Sequence, residues 1–341
     1  MKWVYFSGLY FNKMMKELIE GFPQQVRDAL EIFKKAQLKP LPRKVNNLLI
    51  SGLGGSGIGG SIVSEICAGS ASVPISVSKD YAIPAWVNED TLVIISSYSG
   101  NTEETLQAMQ AAINQKAMIV CVTTGGEVLS IAKQNDLDVI LIPGGNPPRS
   151  CLGLSLTQLC GIIEYYGIAN GLLNEIKLGI DLIELHHNRI LQESESIAKA
   201  ISFSIPVIYT SVGYEGVAVR FRQQLNENSK MLCWHHVMPE MNHNELVGWV
   251  EKSPQIAAIF MRNADEYYRT AKRMDICKDI IFGFAGKTIV LNSKGDTPIQ
   301  RMIWWINLGD WISWFASVER NVDAIEINVI NRLKNELANL Q

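Results

Sequence analysis

Two doubly wound α/β halves behind a helical lead-in are the fold class that this sequence predicts, on three observations. At 341 residues the chain exceeds what one hydrophobic core usually supports. From residue 46 short apolar strands alternate with helical patterns, the grammar of a parallel sheet. After residue 201 that grammar returns, although the two stretches are too dissimilar in sequence to be called a repeat.

Residues 12–45 read as amphipathic helix, with Met15, Leu18, Ile19, Phe22, Val26, Leu30 and Phe33 at helical spacing until Pro40 and Pro42 end it. A strand at 47–50, a Gly-rich turn and a helix over 57–68 follow. Strands at 74–78 and 92–96, a Ser-rich turn, a helix over 102–114, a strand at 117–122, a helix over 126–134 and a strand at 138–142 complete the first half. Residues 151–200 are helical in pattern and bridge to the second. There a strand at 205–211 runs into Gly213-Tyr214-Glu215-Gly216 and a helix, with strands expected at 230–234, 255–260 and 287–291 and helices over 264–275, 298–316 and 322–338. The expected divisions are 1–45 (lead-in), 46–168 (first half), 169–200 (linker) and 201–341 (second half).

Composition narrows the function. Hydrophobic residues make up 47% and charged ones 19%, an ordinary globular balance, and a net charge of -3 gives no field to hold nucleic acid or an anionic membrane. An anionic ligand must be caught locally. The six cysteines form no CxxC pair and no metal-ligand spacing, so reduced core thiols and no metal are expected. The apolar start Met1-Lys2-Trp3-Val4-Tyr5-Phe6 is broken by Ser7 and Gly8 without a signal-peptide pattern, and no run reaches the ~18 apolar residues of a membrane span. A cytoplasmic protein is expected.

Two loops carry the chemistry. Gly52-Leu53-Gly54-Gly55-Ser56-Gly57 follows a strand and opens a helix, where glycines admit an anion and the helix end presents free N–H groups. The pattern satisfies GxGxxG, and Asp80 stands where a ribose-binding acid could, so a dinucleotide remains possible on this loop alone. The second loop shifts the balance. Ser97, Ser99 and Thr102, in Ser96-Ser97-Tyr98-Ser99-Gly100-Asn101-Thr102, supply three hydroxyls beside another helix start, a donor cradle suited to one phosphate monoester. Helix capping alone explains either loop; both at successive switch points of one sheet point to a ligand. Gly54, Gly55, Ser56, Ser97, Ser99 and Thr102 are the expected phosphate contacts.

The segment from Ser97 to Thr105 (SYSGNTEET), with GGSGIGG upstream, resembles the sugar isomerase (SIS) domain, a flavodoxin-like αβα sandwich. Asn226-Glu227-Asn228-Ser229-Lys230, Asn242-His243-Asn244-Glu245 and Pro147-Pro148-Arg149 resemble the bifunctional phosphoglucose/phosphomannose isomerase family over residues 46 to 338. The resemblance implies an aldose–ketose isomerase that works on a phosphohexose without a cofactor, as a homodimer. It implies Glu227 as the base that moves a proton between C2 and C1, His243 as the ring-opening group reaching a neighbouring subunit's site, and Lys334 as its helper. Arg149, at the carboxyl end of the first sheet, could stabilise an enediolate oxygen. Asn226 and Asn228 could bind substrate or orient the acid.

One departure bears on specificity. Where the family carries a Thr-Pro segment before its last helix, this chain has Asp323-Ala324-Ile325-Glu326, which makes mannose 6-phosphate a less secure substrate than glucose 6-phosphate. Alternatives are a non-catalytic sugar-phosphate regulator, disfavoured by a short lead-in of mixed charge, and an aminosugar-phosphate isomerase.

Overall fold

The computed structural model describes residues 12–339; the apolar start at 1–6 lies outside them. Two parallel sheets form its frame. The first contains β1 (Asn47–Ser51), β2 (Ile75–Ser78), β3 (Thr91–Ser97), β4 (Met118–Thr123) and β5 (Asp138–Leu141) in the order β2-β1-β3-β4-β5. The second contains β6 (Ile205–Ser211), β7 (Trp234–Met238), β8 (Ser253–Arg262) and β9 (Ala285–Asn292) in the order β7-β6-β8-β9, the same winding with one strand fewer. Registers such as Ile50 against Ile94 and Ile208 against Ile259 are parallel throughout. The helices between strands are the crossovers that parallel pairing requires.

Strand alternation assigns the layers. Successive side chains of a strand face opposite ways. Leu49, Val93 and Ile95 turn outward onto α4 (Glu103–Asn114) and α5 (Gly126–Gln134), burying Met109, Ala112, Val128 and Ala132. In the second half Val207, Tyr209, Ala258 and Phe260 turn outward onto α10 (Tyr268–Phe282). The remaining faces, through Leu48, Ile50, Ile208 and Ile259, enter one continuous core that spans both halves. Between the sheets lie α3 (Gly54–Cys67), α6 (Leu152–Tyr165), α9 (Glu215–Ser229) and α11 (Pro298–Glu319). Helix α11 is buried along most of its length, with Trp304 and Trp311 fully enclosed.

The lead-in differs from the single helix expected. It forms α1 (12–20) and α2 (Phe22–Lys35), separated at Gly21, and ends at Lys35, short of Pro40. Its stripe is real: Met15, Ile19, Phe22 and Val26 are buried in the shared core and Phe33 packs over Gly161, where a Cβ would stand 2.5 Å from the ring. The 151–200 stretch resolves into α6, α7 (Leu172–Leu185) and α8 (His187–Ile201), the last two packing on α11. The strand expected at 230–234 begins instead at Trp234, because Lys230 to Cys233 are taken up in leaving α9. Helix α10 starts at Tyr268 and α12 (Asn328–Ala338) at Asn328, each later than their apolar spacing suggested.

The halves are also tied by charge. Glu65 of α3 reaches the first turn of α9, where its two oxygens accept the Glu215 and Gly216 N–H groups, each at 2.8 Å. It thereby supplies the anion that a helix N-terminus favours. Burial lifts its carboxyl to about 7 against the pull of those two donors. A carboxyl raised on folding holds its proton more tightly when folded, so its stabilisation is present at low pH and is lost as pH rises from about 4.5 through about 7. Glu65→Gln should flatten the dependence of Tm on pH across that window in calorimetry. An unchanged slope would mean that Glu65 does not titrate there.

Candidate functional site

The first loop is shaped by backbone contact. A Cβ on Gly57 would meet the Gly52 carbonyl oxygen at 2.4 Å, so the turn closes only with hydrogen at that position. Gly54 has φ +52°, in the left-handed region, and Gly55 lies against the Pro148 backbone. The Ser56 hydroxyl accepts the Tyr98 N–H at 3.0 Å, which joins the 52–57 loop to the 97–102 loop. Both loops leave the carboxyl ends of the adjacent strands β1 and β3, and each runs into a helix.

In the second loop the Ser97 hydroxyl accepts the Gly100 N–H at 3.2 Å and stands 3.4 Å from the Thr102 hydroxyl. Ser97 is buried, Thr102 half-buried and Ser99 exposed, the last accepting the Asn101 N–H. Five of the six expected contacts are thus glycines or hydroxyls of one joined cluster, with Ser99 on its outer rim. Gly100 fixes the bend, with φ +69° and a Cβ position 1.8 Å from the Gly125 carbonyl oxygen.

Arg149 and Glu227, 78 residues apart in sequence, meet with Nη1 3.3 Å from Oε2. Arg149 sits in a short 3-10 turn after β5 with only 4% of its side chain exposed, while Glu227 is 29% exposed. Glu227 lies inside the last turn of α9. Asn228, its neighbour, is fully buried and so cannot meet a ligand; its Oδ1 accepts from Arg149 Nε at 2.7 Å and its Nδ2 donates to Ser313 at 2.9 Å. The other guanidinium nitrogen donates to the Ala324 and Ile325 carbonyls. Burial lowers the guanidinium from its ordinary value, and the Glu227 and Asp323 carboxylates oppose this.

Lys230, unassigned by sequence reasoning although it closes the Asn226–Lys230 motif, belongs to the same cluster. At φ +55° it turns the chain out of α9, and its ammonium donates to the Glu227 and Glu326 carbonyls, satisfying a free carbonyl of the helix end. Burial, then Arg149, lowers its pKa. A cavity of about 630 Å³ opens over this surface, walled by Glu227, Lys230, Arg222, Glu326 and apolar residues including Ile330. Its size suits a small ligand.

Two expected residues stand apart within the single chain. His243 is exposed on a turn after β7, makes no side-chain hydrogen bond among the described residues and does not wall the Glu227 cavity. Lys334 is likewise exposed on α12 and outside that wall. Asn226 donates to the Met231 carbonyl and holds the turn after α9. Among the described residues no His, Cys, Asp and Glu group is placed to hold a metal ion, and no helix is long and apolar enough to cross a membrane.

Two like-wound parallel sheets, with a joined glycine and hydroxyl cluster at the end of one and an arginine–carboxylate pair at their seam, are the arrangement of a double SIS-domain protein. The cluster approaches the pair through Gly55, which lies against the Pro148–Arg149 backbone, and none of its residues walls the Glu227 cavity. The family described as the bacterial phospho-glucose isomerase C-terminal SIS domain matches residues 183–337. The bifunctional phosphoglucose/phosphomannose isomerase of Caldicellulosiruptor bescii is 35% identical, with 96% of this chain and 100% of that one covered, and its counterpart in Aquifex aeolicus is 32% identical over 85% and 90%. The chain belongs to the bifunctional phosphoglucose/phosphomannose isomerase family. Its fold is also that of the C-terminal domain of glucosamine-fructose-6-phosphate aminotransferase from Francisella tularensis, with a TM-score of 0.71, 16% identity and 92% and 98% of the two chains covered.

The Gly100 geometry yields a stability prediction. Gly100→Ala combines a left-handed backbone with a carbonyl collision and should cost about 2 kcal/mol or more. Urea unfolding measures it, and a change below about 0.5 kcal/mol, within the range of ordinary surface substitutions, would show that the loop relaxes freely.

Proposed function

We propose that this chain interconverts glucose 6-phosphate and fructose 6-phosphate through an enediolate, as a cytoplasmic homodimer, with mannose 6-phosphate a poorer substrate. The single observation that carries this reading is the Arg149–Glu227 pair, a carboxylate with access to a cavity beside a fixed cation. The family to which the chain belongs supports it. Gly54, Gly55, Ser56, Ser97, Ser99 and Thr102 hold the phosphate by N–H and O–H donation. Glu227 accepts the C2 proton of the open-chain aldose and returns it to C1, while the O2 proton passes to O1 and the carbonyl moves from C1 to C2. Arg149 stabilises the negative charge that develops on the enediolate oxygens.

Ring opening needs an acid–base group at the ring oxygen and O1, the role assigned to His243 with Lys334 assisting. His243 is exposed and does not wall the Glu227 cavity of its own chain, which supports its delivery across a subunit seam. Helix α12 has no buried residue, and Val329, Leu333 and Leu337 on it are exposed, an apolar face that a second copy would cover. The Ala324 and Ile325 carbonyls bind Arg149, so the segment that replaces Thr-Pro is at the site but brings no hydroxyl at 324 or 325 to a C2 epimer.

Glu227→Gln keeps the shape and removes the proton acceptor, so turnover should fall by about 10²–10⁴. Wild-type protein converting fructose 6-phosphate in D₂O should place deuterium at C2 of the glucose 6-phosphate formed, and the variant should lose exchange and turnover together while still binding fructose 6-phosphate. Near-normal exchange in the variant would transfer the base to another carboxylate. The seam is tested by mixing: Glu227→Gln and His243→Ala proteins, allowed to exchange subunits, should regain activity above either parent. Demonstrated exchange without recovery would place both groups in one subunit.

A further inference from the structure

Arg149 is held at two levels. Asn228 and the carbonyls at 324 and 325 aim its guanidinium. Its main chain is held from behind. The Arg149 carbonyl accepts from Arg220 Nη2 at 3.1 Å, and the same nitrogen donates to Asp310 Oδ2 at 2.7 Å. Gln224, one turn along α9, donates to the other Asp310 oxygen at 2.9 Å. The Arg220 and Asp310 side chains are 3% and 6% exposed, so neither meets a ligand. Three residues further along α11, Ser313 accepts from Asn228 and donates to the Asp310 carbonyl. Helix α11 therefore reaches Arg149 twice, through Asn228 to the guanidinium and through Arg220 to the backbone.

A buried ion pair seldom adds net stability over apolar packing, but removing one partner leaves an uncompensated charge. Here the arrangement places two guanidinium groups, those of Arg149 and Arg220, in one dry region, where Arg220 disfavours the charged form of Arg149. Asp310 offsets that repulsion: burial raises its carboxyl and Arg220 draws it back toward ionisation. Neutralising Asp310 would leave Arg220 unpaired beside a second cation, and the relief available is for Arg220 to swing away, releasing the Arg149 carbonyl.

We infer that Asp310 is a positioning residue for the isomerisation, acting through Arg220 to fix the Arg149 backbone so that its guanidinium meets Glu227. This rests on the function proposed above. The phosphate loops lie outside this hydrogen-bond chain and touch it where Gly55 packs on the Pro148–Arg149 backbone, so misplacement falls mainly on the chemical step. A shift of about 1 Å at a reacting group can cost up to ~10²-fold in rate.

The test compares four full-length proteins, wild type, Asp310→Asn, Arg149→Lys and the double variant, in conversion of fructose 6-phosphate to glucose 6-phosphate. Asp310→Asn should lower kcat about tenfold or more with KM within about twofold. In the Arg149→Lys background the same substitution should cost less than about twofold further, because its route of action is already broken. Losses that multiply in the double variant, or a raised KM at full kcat, would overturn the inference. If Asp310→Asn fails to fold by circular dichroism, Arg220→Lys takes its place in the cycle, keeping the charge and removing the fork; full kcat there is equally fatal. A wild type that does not isomerise fructose 6-phosphate removes both function and inference, whereas an active wild type with multiplying losses removes the inference alone.

Discussion

Everything at the seam turns on one buried guanidinium. Arg149 leaves the end of the first sheet and donates to two separate segments: the side chains of Glu227 and Asn228 at the end of α9, and the backbone at Ala324 and Ile325 after α11. Arginine alone among side chains offers several donors in a rigid plane with a charge that persists on burial. Two donors go to the end of α9 and the third to the backbone before α12, so the turn after β5, the end of α9 and the approach to α12 are fixed relative to one another by a single side chain. The carboxylate at the cavity wall inherits its place from that convergence.

The apolar core makes the convergence possible. The faces of the two sheets that look inward share one hydrophobic mass with α3, α6, α9 and α11, so the halves are not beads on a linker. Helix α11 carries apolar side chains all round and can exist only inside such a mass. Asp310 within it is buried with its partner already in place on α9. Polar groups at this depth are tolerated where their hydrogen bonds are met, and they then specify which helices lie side by side.

Much of this was legible in the residues. Short apolar runs separated by helical patterns disclose the sheets, and the two loops the candidate cradle, since a bounded apolar run and a strand, glycine turn and helix sequence are local signals. Helix α5 and β6 stand where their patterns put them, because Gly and Ser punctuation bounds both. Boundaries fail where packing overrides spacing: the lead-in breaks at Gly21, and β7 starts four residues late because Lys230 adopts a left-handed turn that few would expect of lysine. The Asn226–Lys230 motif marks Glu227, but nothing in it says that Asn228 points inward to an arginine. That pairing spans 79 residues, and spacing along the chain carries no trace of it. Asp310 leaves a fainter signal, a charge at the middle of a long and mostly apolar helix.

Glu65 makes the two halves chemically unlike despite their common winding. In each sheet the strand second in the order, β1 or β6, runs through a glycine turn into a helix whose first turn attracts an anion. In the first half that helix start is faced by hydroxyls and glycines from the neighbouring loop. In the second half the chain answers its own attraction, with a carboxylate from α3 seated on the α9 amides. A common winding thereby carries two unlike helix starts: one is left with hydroxyls and glycines around it, and the other is satisfied from within and works as a rivet between the halves.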